Sequence, residues 1–372
     1  MNRSDLPGLY IHVPFCKTKC PYCDFYSVTD TKRAVQWLST TLMEASLYRE
    51  EFPSFDSLYI GGGTPSLLGG PLLEDLLCGL RDIFRFDGGT ELTMEVNPDD
   101  VTREKLALYR ALGVNRISLG VQSFREDEVR FLGRRHSAKQ AEEALGLIAD
   151  EGFAEFGIDL IYGLPGQTLR SWRQTLRKAL EHGPSHISCY QLTLEGDTPF
   201  SRMSGGGSLK LPADAIQARF SLAASETLSE AGFIHYEVSN FARGLEHLSR
   251  HNVKYWQHKP YLGLGPSAHS FRGNRRWWNA RCLDEHLLKT GRGEKATGGS
   301  ERLSADQMRL ERLLFGFRTL WGVEMSEISG KDGQKAIDGL LTSRLVELHE
   351  TRIIPTEKGY LFADGLPVMV SG

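Results

Sequence analysis

The sequence predicts an α/β protein built on a partial (β/α)6 barrel, followed by a C-terminal winged-helix-like α+β domain. From residue 9 to about residue 190, short apolar runs alternate with amphipathic segments, which is typical of repeated βα units and a parallel sheet. After residue 303 the pattern changes to helices followed by two short strands. We expect three parts: the partial barrel over residues 1–240, a connecting region over 241–300 and the winged-helix-like domain over 301–372.

Six apolar runs of strand length occur in the first half of the chain. These predicted strands are 9–13, 57–60, 91–96, 116–120, 156–161 and 186–190. The segments between and after them carry apolar residues at helical spacing. The predicted helices are 32–50, 72–84, 103–112, 138–151, 169–181 and 214–231, with a mobile loop at Gly205, Gly206 and Gly207 before the last one.

The residue pattern of the C-terminal part is typical of a small separate domain. A helical stripe is formed by Leu310, Leu313, Leu314, Phe317 and Trp321. A second helix at 335–341 and strands at 345–348 and 352–355 would complete a winged helix. No basic recognition helix is evident, so we expect packing or docking and not DNA binding.

Composition and charge exclude several classes of protein. The net charge is −3, so no broad basic surface for nucleic acid exists. No apolar run approaches the ~20 residues that cross a bilayer. The first residues lack the apolar core of a signal peptide, and we therefore expect a cytoplasmic protein with reduced thiols.

Cys16, Cys20 and Cys23 form a C-x3-C-x2-C run. Three thiolates without a nearby fourth can hold three irons of a [4Fe–4S] cluster and leave the fourth iron open. A structural zinc site needs four ligands. His12 could complete such a set, but on an extended segment we expect its side chain to point elsewhere.

The other cysteines do not suggest a disulfide framework. Cys78, Cys189 and Cys282 are scattered, and we expect buried thiols without a role.

Polar residues follow or end several predicted strands. Tyr10 lies in the first strand, residues 61–65 follow the second, Glu95 closes the third, Gln122 follows the fourth and Asp159 lies in the fifth. In parallel α/β barrels such positions collect at one end of the barrel, so we expect a ligand to span this end.

The run Gly61–Gly63 would let the backbone approach a small charged group, because no Cβ obstructs it. It matches neither a P-loop nor a dinucleotide fingerprint. Beside the cysteines it is a candidate clamp for the amino end of S-adenosylmethionine. Glu95 could accept hydrogen bonds from ribose hydroxyls and Arg134 could pair with a carboxylate. Taken singly, each residue is equally well explained by a helix cap or a surface ion pair.

Together these motifs resemble the radical S-adenosylmethionine (SAM) family, and within it the oxygen-independent coproporphyrinogen oxidases and the related heme chaperones. The resemblance covers most of residues 8–270 and rests on segments 10–16, 61–65, 95–98, 120–123 and 158–168. It implies a cluster on Cys16, Cys20 and Cys23, whose open iron takes the amino and carboxylate groups of S-adenosylmethionine. By the same family pattern, the residues that contact this cofactor are Tyr10, Gly62, Gly63, Thr64, Glu95, Gln122, Arg134 and Asp159. In the family, an electron delivered to the cluster splits the sulfonium bond of the cofactor.

Two departures from the oxidases favour the chaperones. Phe25 stands where the oxidases carry a further cysteine, and only eight residues precede the first predicted strand, where the oxidases have an extension. The segment His251–Trp256 resembles the H-N-x-x-Y-W motif of the heme chaperones. The resemblance implies His251 as an iron ligand, with Tyr255 and Trp256 as flat apolar surface. Without it, a lone histidine is more often a hydrogen-bonded surface or core residue.

We therefore expect a heme chaperone that passes heme to acceptor proteins, respiratory ones among them, and that needs an electron donor for its cluster. Peripheral contact with a membrane and the oligomeric state stay open. The alternatives are an oxygen-independent coproporphyrinogen III dehydrogenase, whose activity we expect to be lacking, and a radical enzyme that acts on heme.

A further group of basic and aromatic residues is open to two interpretations. Its members are Arg272, Arg275, Arg276, Arg281, Phe271, Trp277 and Trp278. It is either a solvated rim or a contact for porphyrin propionates. The neighbouring segment 261–270 matches an oxidase segment near the ligand, but His269 departs from the pattern and receives no role.

Overall fold

The chain contributes alternately to two compact units. The computed structural model describes residues 6–328 and 330–371. The first unit comprises Met1–Leu160, Leu192–Lys210 and Lys259–Arg302, and the second comprises Ile161–Gln191, Leu211–His258 and Leu303–Gly372. The division into three domains made from the sequence stays a prediction.

The strands are short and follow the predicted order along the chain. They are β1 Gly8–Val13, β2 Ser54–Gly62, β3 Arg85–Val96, β4 Arg116–Gln122, β5 Glu155–Tyr162, β6 His186–Gln191, β7 Ile234–Glu237, β8 Asn240–Ala242, β9 Tyr261–Leu264, β10 His269–Arg272, β11 Arg275–Asn279, β12 Thr297–Arg302, β13 Val323–Glu324, β14 Val346–His349 and β15 Arg352–Pro355.

Helices connect most of the strands. They are α1 Ala34–Ser46, α2 Gly70–Ile83, α3 Arg103–Ala111, α4 Glu126–Phe131, α5 Ala138–Asp150, α6 Leu169–Glu181, α7 Pro199–Gly205, α8 Asp214–Glu230, α9 Arg250–Trp256, α10 Leu283–Gly291, α11 Ala305–Gly316, α12 Gly330–Thr342, α13 Glu357–Tyr360 and α14 Leu366–Val370.

The first unit is organised around one sheet. Its strand order is β12-β11-β10-β9-β1-β2-β3-β4-β5. Strands β9 and β1 to β5 run parallel, whereas β10, β11 and β12 are added antiparallel. The parallel strands alternate with helices, which confirms the predicted α/β class.

The two faces of this sheet differ in polarity because alternate residues of a strand point to opposite sides. On β1, Leu9 and Ile11 are fully buried on the face toward the helices. Tyr10 pairs with Tyr59 of β2, and His12 pairs with Gly61, on the opposite face. We call this second face the inner face, and it carries the polar residues of the strands.

A buried polar cluster joins α1 to α10 and to the turn after β9. Glu44 accepts hydrogen bonds from the Gly265 amide at 2.9 Å and from the Asn279 side chain at 2.6 Å, and it lies 3.0 Å from His286 Nε2. Burial raises the pKa of Glu44 to about 8 and lowers the pKa of His286 to about 4. Both shifts have the same cause, because burial penalises the charged form of each group.

The second unit contains β6, β8 and β7, which pair antiparallel in that order. Its C-terminal part has a core of buried apolar side chains that includes Leu313, Phe317, Ile337 and Ile353. Helices α11 and α12 and the sheet β13-β15-β14 surround this core. The predicted sequence of two helices and two strands is found, with β13 as an additional strand. The winged-helix-like assignment itself stays a prediction.

Several predicted boundaries are wrong. The first helix covers Ala34–Ser46 and not 32–50, because Thr31–Arg33 form a separate 3-10 turn. Gly205 ends the short helix α7 and so does not belong to a glycine loop. Trp321 lies beyond α11, which ends at Gly316. Helix α4 was missed because it has only six residues and begins with three acidic ones.

Among the described residues, no helix combines the length and the apolar character that a membrane span requires.

Candidate metal centre and cofactor site

The three cysteines lie on a loop that leaves the end of β1 and returns to it. The Cys16 amide donates to the Val28 carbonyl at 3.0 Å, and the Val28 amide donates to the Pro14 carbonyl at 2.8 Å. These two bonds close the loop at its base. Within it, the Cys23 amide donates to the Cys20 carbonyl at 3.1 Å, and all three cysteines are partly exposed.

His12 does not face the cysteines with a free nitrogen. Its Nε2 lies 2.8 Å from the Tyr26 carbonyl and must donate to it, so Nδ1 accepts from the Tyr10 hydroxyl at 3.1 Å. Burial lowers the pKa of His12 to about 4, although the bond to Tyr26 opposes this shift. Both ring nitrogens of the neutral imidazole are used, which argues against a Cys3His zinc site.

The donor set fits a cluster better than a single ion. In the described part of the chain, no group of three or more His, Cys, Asp or Glu side chains is arranged to hold a metal ion. The thiolates of a [4Fe–4S] cluster each bind a different iron, so they need not converge on one point. The pKa of Cys23 is raised, mainly by burial. The charges of the other two cysteines add to this shift.

Two hydrogen-bond donors contact the cysteine sulfurs. The Thr64 hydroxyl donates to Cys16 Sγ at 3.4 Å, and Arg134 Nη1 donates to Cys20 Sγ at 3.6 Å. Donors at sulfur suit a site in which the sulfurs carry negative charge as metal ligands.

The Arg134 guanidinium is largely engaged by protein groups. It donates to the Gly120 carbonyl at 3.0 Å, to the Tyr22 hydroxyl at 3.5 Å and to the Asn97 side-chain oxygen. The structure thus places Arg134 against the cysteine loop. Its assignment to a cofactor carboxylate stays a prediction.

The glycines at the end of β2 and directly after it pass over the end of β1. The Gly63 amide donates to the Val13 carbonyl at 2.8 Å, and the Thr64 amide donates to the Phe15 carbonyl at 2.7 Å. A Cβ on Gly63 would lie 2.6 Å from the Phe15 carbonyl oxygen. Gly62 has a φ of 109°, and a Cβ there would lie 2.7 Å from the His12 ring. Only glycine fits at either position.

Glu95 lies on the inner face beside these glycines. Its carboxylate accepts from the Tyr59 hydroxyl at 2.9 Å and from the Gly62 amide at 3.1 Å. Burial raises the pKa of Glu95 to about 7, and the neighbouring charge of Asp159 adds to the shift. On the next strands, the Ser118 hydroxyl donates to Asp159 at 2.8 Å. The two carboxylates therefore face one small region of the inner face.

Gln122 ends β4 with a left-handed backbone, at a φ of 68°. The pairing of β4 with β5 shifts register between Leu119 and Gln122. A non-glycine residue in this conformation costs on the order of 1 kcal/mol or more, and such positions cluster at functional sites.

The first unit thus brings together the predicted cluster and cofactor residues at the carboxyl ends of the parallel strands. Sequence reasoning missed Tyr59, Asn97 and Ser118, which contact them. Tyr59 and Ser118 had a usable signal, because both occupy the alternate strand positions that share the inner face. Asn97 lies in segment 95–98, on which the family resemblance rests, but nothing in its residue type or spacing indicated a contact.

The histidine motif lies on α9 in the second unit. His251 is 1% exposed, and its Nε2 lies 2.8 Å from the Tyr255 hydroxyl one turn later. Burial lowers the pKa of His251 to about 3, with a smaller contribution from the charge of Lys254. Trp256 is half-buried and packs edge-on against Phe315 at 5.9 Å. In this conformation His251 is not presented on the surface.

The arginines of the basic and aromatic group do not form one patch. Arg281 donates to the Asp24 carbonyl at 3.3 Å, on the cysteine loop, whereas Arg276 donates to Glu301 at 2.7 Å. Arg272 pairs with Arg275 across β10 and β11, and this pair points to the face opposite Arg276.

Two of the remaining cysteines are not buried. Cys78 on α2 and Cys282 before α10 are exposed, and only Cys189 is buried as predicted. The prediction was wrong for Cys78 because its position on α2 faces solvent, and for Cys282 because it lies at the exposed start of α10. A small apolar residue is tolerated at both places, and the sequence pattern does not distinguish them from the core.

The parallel sheet and the cysteine loop define an α/β partial-barrel protein with a three-cysteine loop, and the family model of the radical SAM superfamily matches residues 10–179. The heme chaperone HemW of Mycobacterium tuberculosis is 35% identical over 96% of this chain and 93% of its own length. That of Bacillus subtilis is 32% identical over 96% of this chain and 95% of its own. The chain therefore belongs to the radical SAM superfamily and, within it, to the HemW heme chaperone family.

A solved structure agrees on the fold. The coproporphyrinogen III oxidase HemN of Escherichia coli, a radical SAM enzyme, superimposes with a TM-score of 0.83 at 24% identity over 99% of this chain and 91% of that one. The predicted radical SAM partial barrel is thereby confirmed. Membership in the superfamily implies binding of a [4Fe–4S] cluster and of S-adenosylmethionine.

Replacing Cys16, Cys20 or Cys23 singly by Ser should abolish most of the bound iron and the visible absorbance after anaerobic reconstitution, because each thiolate holds a separate iron. Cys78→Ser and Cys282→Ser are matched controls, since these cysteines are exposed. Iron analysis and spectroscopy provide the measurement. Full iron retention in a loop variant, or stoichiometric zinc in the unsubstituted protein, would contradict the cluster assignment.

Proposed function

We propose that this protein is a heme chaperone, which binds a [4Fe–4S] cluster, S-adenosylmethionine and heme and passes heme to acceptor proteins. The observation that carries the proposal is the extent of similarity to HemW, which spans both units and 93% of the Mycobacterium tuberculosis protein. The cysteine loop, the inner-face carboxylates and the α9 motif all lie within the aligned length.

In the proposed site, Cys16, Cys20 and Cys23 hold the cluster. When bound, the cluster supplies one-electron chemistry and an open iron for the amino and carboxylate groups of S-adenosylmethionine. The protein's own part is to hold the loop. Thr64 and Arg134 donate hydrogen bonds to two of the sulfurs and tie the loop to the ends of β2 and β4.

The proposed cofactor contacts follow from the inner face. The backbone of Gly62, Gly63 and Thr64 offers close approach to the polar end of the cofactor. Glu95 would accept hydrogen bonds from ribose hydroxyls. The remaining proposed contacts are Tyr10, Gln122, Arg134 and Asp159.

The proposed heme contacts on α9 are His251, Tyr255 and Trp256. The neutral imidazole of His251 is the form that binds iron. For its Nε2 to do so, the contact with Tyr255 has to be exchanged for the metal, and the buried ring has to become accessible. Heme binding by this motif should therefore accompany a rearrangement of α9.

Partners and location belong to the same proposal. A heme chaperone needs acceptor proteins, respiratory ones among them, and a cluster that changes oxidation state needs an electron donor. We propose no role in nucleic-acid binding and a cytoplasmic location, with peripheral membrane contact as the route to membrane-bound acceptors.

The second candidate is an oxygen-independent coproporphyrinogen III dehydrogenase, and the observation that favours it is the fold shared with HemN. Phe25, where the oxidases carry a cysteine, is 67% exposed beside the cysteine loop. Reconstituted, reduced protein with S-adenosylmethionine should therefore form no protoporphyrinogen from coproporphyrinogen III under anaerobic conditions. Product formation on the time scale of a matched oxidase would replace the chaperone proposal by the enzyme.

Titration of the purified chain with hemin should shift the Soret band. His251→Ala should change that spectrum and weaken binding by about tenfold or more, as expected when an iron ligand is lost. His349→Ala is the control, because His349 is an exposed histidine on β14 far along the chain. An unshifted band in the unsubstituted protein counts against heme binding, whereas identical spectra for the two variants exclude His251 as the ligand.

Affinity of the reconstituted protein for S-adenosylmethionine should rise with pH through neutrality. The raised pKa of Glu95, about 7, leaves a growing share of its carboxyl protonated below that pH. If ribose hydroxyls donate to the carboxylate, affinity should fall by about tenfold between pH 8 and pH 6. Equilibrium dialysis measures this, and Glu95→Gln should give a weak, flat profile. A slope that persists in the Glu95→Gln variant would assign the titration to another group.

A further inference from the structure

The inner face of the first unit continues past the cofactor residues onto the antiparallel strands. Tyr10 of β1 pairs with Gly263 of β9. The pairing of Tyr261 with Phe271 then sets Gly263 opposite His269 of β10, and His269 pairs with Trp278 of β11. Tyr10, His269 and Trp278 therefore occupy one row across the sheet.

The burial of neighbouring residues fixes the side to which this row points. Trp277, next to Trp278, is 1% exposed and donates from Nε1 to the Tyr48 hydroxyl of the segment after α1 at 3.0 Å. Trp277 thus points to the helix-covered face. Trp278 and His269 point to the inner face, as Tyr10 does. Adjacent strands are ≈ 4.8 Å apart, so the Cα atoms of His269 and Tyr10 lie about 10 Å apart across two strands.

His269 and Trp278 form a flat surface on this face. Their rings are stacked, with centroids 6.0 Å apart and planes at 29°. Gly299 of β12 pairs with Trp278, and a Cβ there would lie 2.5 Å from the indole, so the indole lies flat over a residue without a side chain. His269 is exposed and Trp278 is half-exposed.

The His269 imidazole differs from the buried histidines. Within residues 6–328 and 330–371, neither of its ring nitrogens has a hydrogen bond, whereas His12 and His251 are both engaged through their ring nitrogens. Burial and the charge of Arg276 lower the pKa of His269, which favours the neutral form that binds metals. An accessible neutral imidazole is suited to binding iron, and its lone pairs lie in the plane of the ring. The exposed His269 ring would therefore turn upright from its stack on the indole to bind the iron of a flat macrocycle that lies on Trp278.

Arg276 supplies positive charge on the same side. It pairs with Phe271, which lies two residues after His269 on the inner face. Its Nε and Nη2 donate to Glu301 at 2.9 and 2.7 Å, and about a third of the side chain is exposed. A guanidinium on the rim of an aromatic surface is a good partner for a carboxylate of a tetrapyrrole. To bind that carboxylate, Arg276 would release Glu301.

We propose that His269 and Trp278 form a heme-binding platform on the inner face of the first unit, with the His269 imidazole as an iron ligand and Arg276 as the contact for a propionate. This inference rests on the proposed heme function. It adds a heme contact in the cofactor-bearing unit to the motif on α9.

Binding of hemin to the chain is compared with binding of metal-free protoporphyrin. The comparison distinguishes iron ligation by His269 from contact of the macrocycle with Trp278. His269→Ala should weaken hemin binding by about tenfold or more and leave protoporphyrin affinity unchanged, because only hemin uses the imidazole. Trp278→Ala should weaken both. Added imidazole should restore the hemin spectrum of His269→Ala, a rescue that a folding defect would not show.

Two controls match these variants. His349→Ala removes an exposed histidine elsewhere, and Arg272→Ala changes an exposed residue of β10 on the opposite face. Both should bind hemin as the unsubstituted chain does. Trp278→Phe keeps a flat ring and should retain most of the affinity, which guards against misreading an unstable Trp278→Ala protein.

The failures of the two proposals look different. If the chain binds hemin and neither His269→Ala nor Trp278→Ala alters the spectrum or the affinity, the platform is wrong and the chaperone proposal stands. If the chain with its cluster binds no hemin at all, the heme function fails and the platform fails with it.

Discussion

The pairing of β1 with its two neighbours is the constraint on which the rest of the first unit depends. In-register parallel pairing with β2 and β9 sets Tyr10 and His12 on the face shared with Tyr59 and Gly61. A slip by one residue would move every one of these side chains to the helix-covered face, because the side-chain period of a strand is two. The apolar partners Leu9 and Ile11, both fully buried, oppose such a slip. The hydrophobic core on one face thereby holds the polar site on the other.

The second feature that shapes the site is the close approach of the glycine backbone to the end of β1. Gly62 and Gly63 cross the end of β1 at distances that leave no space for a Cβ, and hydrogen bonds to Val13 and Phe15 hold the crossing in place. Gln122, in a left-handed conformation, ends a neighbouring strand. Such positions have a conformational cost that the sheet and the loop bonds offset. The cysteine loop starts directly at this point, so its orientation depends on the same bonds.

Burial distinguishes His12 and His251 from His269. His12 and His251 are withdrawn from solvent, have lowered pKa values and use their ring nitrogens in contacts with Tyr10, Tyr26 and Tyr255. Such imidazoles support neighbouring groups and reach a metal only after a rearrangement. His269 is exposed, so an iron-containing ligand could reach it after a turn of the side chain alone. The family motif and the geometry of the inner face thus point to two proposed heme contacts, the buried His251 and the accessible His269.

Local pattern in the sequence determined the strands of the partial barrel, the cysteine triplet, the glycine run and the placement of Glu95 at the end of the third strand and of Asp159 within the fifth. Period, spacing and residue type are local properties, and so the chain order of these elements could be predicted. The tertiary structure alone decided that Arg134 contacts Cys20, that both His12 nitrogens are occupied, that the arginines of β10 and β11 divide between two faces, and that Cys78 and Cys282 are exposed. These depend on register and on contacts between residues far apart in the chain, which side-chain burial and strand pairing select only when the whole sheet has formed.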